Sequence, residues 1–218
     1  MKKLLDVGLL LVMVSLFIGA AVSHAKIPDS DFFVPVLEIR NQTGDGILPE
    51  LRSRLQDTGY IAGEVTVGAG HYATHKLNNE LREKYRCSAS YIPGGWAFVV
   101  PHPTGFTLTE VVDRAEFTLP GRAIAVASWD DQPFYLFDEL AAYVCGTMAG
   151  LEAGMADTAR VRLSYRNAQI LLHHVRVMID LAKTRGYPHT DELELLYNHY
   201  SFVVNMLHPR LNVRGPNG

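Results

Sequence analysis

Two histidines four positions apart, His71 and His75, are the residues whose types and spacing could first do chemistry in this chain. At i and i+4 on a helix both imidazoles leave the same face, so their ring nitrogens can meet one metal ion. A third ligand is available downstream. Glu139 lies in the run Phe137-Asp138-Glu139-Leu140-Ala141-Ala142-Tyr143, on what reads as a second helix. At helical spacing it shares a face with Tyr135, Ala142, Tyr143 and Gly146. Most of its neighbours are apolar. A charge within such a helix is costly unless it is paired, hydrogen-bonded or neutralised. At least one of Asp138 and Glu139 should therefore have a partner: a histidine, an arginine, a metal ion or water in a cleft. The alternative puts the acidic pair at the solvent edge of the helix N-terminus, where the macrodipole favours acids.

The segment His71-Tyr72-Ala73-Thr74-His75, combined with a glutamate on a distant helix, resembles the zincins, zinc peptidases of the two-His-plus-Glu type. The resemblance covers these short segments alone. It implies His71, His75 and Glu139 as ligands, zinc as the cofactor and water at the fourth position. The chain departs from the family at Tyr72. There the zincin motif has the glutamate that takes the proton from zinc-bound water. A phenol with an ordinary pKa of about 10 is a poor base at neutral pH. The resemblance thus implies a metal site without standard peptidase chemistry. Either Glu139 serves as the base, with Tyr72 in the vacated catalytic position, or the protein is a non-catalytic relative.

Other patterns compete for the same residues. Gly68-x-Gly70-x-x-Ala73 outlines a dinucleotide fingerprint, but no acidic residue ends a second strand about twenty residues later. A glycine turn opening a helix accounts for it more simply. His173 and His174 are adjacent, so they do not share a helical face; His174 falls near the core stripe with Leu171 and Met178. Cys87 beside His75 or His102 would be a thiol-hydrolase arrangement, yet Cys87 follows a helix end rather than opening a helix. The chain contains neither a GxSxG elbow nor a Walker-type phosphate loop.

The compartment is read from residues 1–25. Lys2 and Lys3 precede the apolar run 7–22, and Ser23-His24-Ala25 sets small residues at −3 and −1 of a cut before Lys26. This predicts a signal peptide and a secreted or periplasmic chain with no stable membrane anchor after cleavage. In that compartment the two cysteines, Cys87 and Cys145, could pair as a disulfide; two unrelated thiols are the alternative. The net charge is −3, with both signs mixed, so no broad basic surface advertises nucleic acid.

The elements that must position these residues follow from the apolar periods. Strands are expected at 33–39, with Pro35 marking an edge, at 61–67, 96–100 and 122–128. Helices are expected at 48–57, 71–86, 108–117, 133–150, along the stripe Val161 to Ala182, and at 191–207, with Thr190 capping the last. Thr107 and Glu110 have capping-box spacing. Early strands followed by helices give an α+β class: a small early sheet packed with a helical C-terminal half. Residues 26–213 form one domain and 214–218 a frayed tail. The functional expectation is a secreted or periplasmic protein with a helix-borne His/Glu site, a degenerate metallohydrolase. The rival is a non-enzymatic envelope or extracellular interaction domain.

Overall fold

The computed structural model describes residues 27–36, 39, 46–57 and 67–211. The expected strand at 61–67 lies outside these residues except for Val67, which is helical. The signal peptide, the tail 214–218 and residues 37–38 also lie outside them; the strand expected at 33–39 stops at Pro35, and Ile39 is helical.

The chain is α+β. A short strand β1 (Phe33–Pro35) precedes two small helices, α1 (Ile47–Glu50) and α2 (Arg52–Asp57), in place of the single helix expected at 48–57. Helix α3 (Val67–Tyr85) leads into the hairpin β2 (Ser88–Ile92) and β3 (Trp96–Val100). Helices α4 (Leu108–Arg114), α5 (Arg122–Trp129), α6 (Tyr135–Glu152), α7 (Ala159–Thr184) and α8 (Thr190–Leu207) complete the described chain. The sheet is antiparallel with order β1-β3-β2, so Pro35 does sit on an edge strand, opposite Trp96. Among the described residues there is no parallel βαβ unit of the dinucleotide-binding kind: α3 feeds an antiparallel hairpin.

Three sequence expectations are corrected. Residues 122–128 are helical, not a strand. Their alternation is weak and alanine-rich, and only Ala125 is fully buried, with Val126 and Trp129 partly so. Strand β2 is absent from the expected elements, because Ser-Ala-Ser-Tyr-Ile opens with a polar residue at every other position. Every one of its residues is nevertheless buried. Its serines are satisfied internally: Ser88 Oγ meets His102 Nδ1 at 2.8 Å, and Ser90 Oγ meets Tyr200 Oη at 3.0 Å. Thr190 lies inside α8, whose N-cap is His189 without a side-chain cap bond. The capping box at α4 is present as expected, with Thr107 Oγ1 accepting from the Glu110 amide and the Glu110 carboxylate accepting from the Thr107 amide.

The centre of the molecule is the crossing of α3 with α6, and α6 is sandwiched between α3 and α7. Apolar residues fill this layer: Ala73, Leu77 and Leu81 from α3, Leu140, Ala141 and Val144 from α6, and Val161, Ala168 and Val175 from α7 are all buried. Small residues let the helices close up. A Cβ on Gly146 would lie 2.7 Å from the Val67 carbonyl oxygen, and one on Gly70 would lie 2.9 Å from the Ala149 Cβ. Gly68 and Gly70 therefore belong to the first turns of α3, not to a turn before it.

Candidate metal centre

Helix α3 presents His71, His75, Asn78 and Arg82 toward α6, at helical spacings of four, three and four. Helix α6 answers with Asp138, Glu139 and Tyr143, and with Tyr135 one turn earlier. Because glycines hold the helices close, the imidazoles and the carboxylates meet directly.

His71 Nε2 and His75 Nε2 are 3.1 Å apart. Glu139 Oε1 is 3.4 Å from His75 Nε2, and Oε2 is 3.9 Å from His71 Nε2. One ligand atom from each of the three residues lies within 4.8 Å of the others. Two ligands at tetrahedral angles and about 2.0–2.1 Å from zinc stand about 3.3 Å apart, so the spacing suits a single ion. The donor chemistry also suits one: two imidazoles and a carboxylate, each partly exposed at 25 %, 22 % and 15 %. This convergence is what the sequence spacing predicts for His71, His75 and Glu139. Tyr72, the residue in the vacated base position, is 57 % exposed on α3.

Asp138 completes the arrangement from below. It is buried to 1 % exposure, and it accepts from His75 Nδ1 at 2.9 Å, Asn78 Nδ2 at 2.5 Å and Arg82 Nη1 at 2.7 Å. By holding the Nδ1 side of His75, Asp138 aims Nε2 at His71 and Glu139, the carboxylate–histidine pairing found behind metal ligands. Asn78 in turn accepts from the Tyr91 amide at 2.6 Å, which ties the site to β2. Sequence reasoning requires a partner for this acidic pair but does not identify Asn78 and Arg82. The signal lies in their i+3 and i+7 spacing from His75.

Aromatic rings wall the site. Tyr143 packs edge-on to His71 with centroids 4.5 Å apart. Tyr135 lies parallel to His75 at 6.5 Å, and Trp129 stacks on Tyr135 at 5.0 Å. The Tyr135 hydroxyl donates to Glu139 Oε1.

The protonation states follow from this packing. Burial works against a charge on His75, but hydrogen bonds and charges from Asp138 and Glu139 outweigh it and push its pKa up to about 10. Burial, reinforced by the charge on His75, draws His71 down to about 4. Burial works against both carboxylates, yet the bond and charge of His75 hold Asp138 and Glu139 below their ordinary range. Burial and the adjacent Glu139 raise the Tyr135 phenol far above its usual value.

The remaining candidates fall elsewhere. Cys87 and Cys145 are both free, the second of the two alternatives the cysteine count leaves open. Cys145 is buried on α6, while Cys87 follows α3 and is partly buried. Burial raises both thiols, Cys145 to about 12, and His102 is engaged by Ser88, so no activated cysteine pair exists among the described residues. His173 braces the chain after α4, its Nε2 accepting from the Glu116 amide at 3.2 Å, while His174 Nδ1 bonds the Ile170 carbonyl one turn earlier on α7 at 2.9 Å.

Comparison with protein-family models, with curated proteins and with solved structures finds no match. No described helix is long and apolar enough to cross a membrane.

Proposed function

We propose that this is an exported zinc-binding protein carrying a degenerate metallohydrolase site, with His71, His75 and Glu139 as the ligands. The observation that carries the reading is the convergence of these three side chains within 4.8 Å while Asp138 holds the far nitrogen of His75.

A zinc ion held there supplies Lewis-acid polarisation of whatever occupies its open position. The chain's own groups limit the proton chemistry available beside it. Asp138 is fully engaged by His75, Asn78 and Arg82, and so is not free to take a proton. Glu139, as ligand, gives its lone pairs to the ion. Tyr135 and Tyr143 hold their phenol protons tightly, burial being the larger cause for each. Tyr72 stands where the zincins carry their base. The arrangement therefore favours binding and polarising a ligand over peptide hydrolysis.

The export half of the reading rests on the charged, apolar and small-residue order of residues 1–25. Intact-mass analysis of the protein recovered from outside the cytoplasm should give a chain beginning at Lys26. A chain retaining Met1 and resisting extraction from membranes overturns it.

The metal reading is tested by titrating chelator-treated protein with zinc in a calorimeter. One ion per chain is expected, with binding lost in His71→Ala and Glu139→Ala. A protein that takes up no zinc overturns the metal reading, and the site is then an internal polar network.

A further inference from the structure

The hydroxyl of Tyr135 donates to Glu139 Oε1, the same oxygen that lies 3.4 Å from His75 Nε2. The two residues are one helical turn apart on α6, so the bond is local and its register is fixed by the helix. Tyr135 is itself held. Trp129, the last residue of α5, stacks on its ring at 5.0 Å with planes only 7° apart. The Tyr135 ring also runs nearly parallel to the His75 imidazole, at 6.5 Å and 8°. The Arg82 guanidinium, which anchors Asp138, lies 5.8 Å from the Trp129 ring centre.

We infer that Tyr135 is a positioning residue for the metal-ligating carboxylate, fixing the Glu139 rotamer so that it faces both imidazoles. This rests on the zinc-binding reading above. The physical reason is the freedom of a glutamate. Glu139 has three rotatable bonds and a partly exposed carboxylate, and without a donor on one oxygen it can swing out toward solvent. The phenol occupies one oxygen from the outer side, while His75 and His71 face the carboxylate from α3. Asp138 does for His75 what Tyr135 does for Glu139, so both kinds of ligand are oriented by a second group. Outer partners of this kind typically change metal affinity by about 10- to 100-fold. The stack on Trp129 extends the same restraint to the end of α5, which makes this helix the outer support of the site.

The test is Tyr135→Phe, which keeps the ring and its stack and removes only the hydroxyl. Zinc affinity of the purified protein is measured by competition with a chelating dye. The visible spectrum of the cobalt-loaded protein is recorded beside it. The expected result is an affinity about 10-fold weaker and an altered cobalt spectrum, with the melting temperature of the metal-free protein unchanged. The spectrum reports the coordination geometry at the ion, and the unchanged melting temperature separates that change from a general loss of packing. Wild-type protein that binds zinc, with Tyr135→Phe matching it in affinity and spectrum, overturns the positioning role alone. Wild-type protein that binds neither ion overturns the zinc reading and this inference with it.

Discussion

Two groups of histidines in this molecule differ in what stands behind them. His71 and His75 face α6, where Asp138 and Glu139 supply carboxylates. His173, His174 and His199 sit on α7 and α8 and meet backbone groups or no hydrogen-bond partner. His173 accepts from an amide, His174 bonds a carbonyl, and His199 Nε2 is buried without a partner among the described residues. The protonation follows the partner at His75, while His71 in the same group is drawn down to about 4 by burial and by the charge on His75. Burial with nothing to offset it lowers His199 to about 4, whereas paired carboxylates lift the less deeply buried His75 to about 10. Burial alone keeps a histidine neutral; carboxylates facing both ring nitrogens keep His75 protonated, so an ion at Nε2 would have to displace that proton, whereas His71 is neutral.

The strongest way to break this comparison is to remove the charge. Asp138→Ala strips a buried carboxylate from two cations, His75 and Arg82, and from Asn78. Stability should fall by about 3–5 kcal/mol, as expected when one partner of a buried pair is removed. Urea unfolding of the metal-free protein reads this. A loss under about 1 kcal/mol would mean that the network is solvated and the charge argument fails.

Acid titration tests the other group. His199 has a folded pKa of about 4 against about 6.5 unfolded. Between those values the unfolded chain binds a proton that the folded chain refuses, so stability falls as pH falls from 6.5 toward 4. The contribution of this one group is about 3 kcal/mol across the window. His71 adds a slope of the same sign, because its folded value is also about 4. His75 works in the opposite range: its stabilisation is complete below pH 6.5 and is lost as pH rises through about 10. His199→Leu should flatten the acid slope relative to wild type when urea midpoints are compared from pH 7 to pH 4. Parallel curves would remove His199 from the comparison.

The width of the helix crossing sharpens it further. Gly146→Ala places a Cβ 2.7 Å from the Val67 carbonyl oxygen, and backbone does not yield as a side chain can. A cost of about 1–3 kcal/mol is expected, together with weaker zinc binding as α3 moves away from Glu139. If stability falls while zinc affinity holds, the close approach serves packing and not the site.

These contrasts explain which features of the chain are legible before it folds. Local spacing is legible: His71 with His75, the stripe from Val161 to Ala182, and the capping box at Thr107 all rest on helical periodicity. The third converging side chain is legible as well, because an acidic pair among apolar residues demands a partner. What spacing cannot convey is which far element supplies that partner. Asp138 and Glu139 are adjacent, yet both reach α3, since one lies beneath the imidazoles and the other beside them. That arrangement depends on the glycine-lined crossing. Strand β2 escapes notice for a related reason. Its buried serines look solvent-facing until His102 and Tyr200, distant in sequence, satisfy them. Residues 122–129 show the reverse case, where a weak alternation of alanine and β-branched residues suits either state and tertiary packing decides for helix.

The smallest effect should come from the histidines without charge behind them. His173 makes one hydrogen bond, from the Glu116 amide, and packs edge-on against Phe117, which is itself 52 % exposed. Losing that bond at a solvent-accessible position leaves water able to replace it, so His173→Ala should cost about 0.5–1 kcal/mol. Zinc affinity should not change, because no bond connects His173 to α3 or to Glu139 among the described residues. The same variant pair, His173→Ala and His75→Ala, then isolates the cause of the difference. Both remove an imidazole from a helix, but only His75→Ala leaves a buried carboxylate short of a cation. A large loss from His75→Ala beside a small one from His173→Ala would attribute the contrast to the carboxylates. Equal losses would attribute it to ring packing, and the charge-backed site would lose its distinction from the rest of the fold.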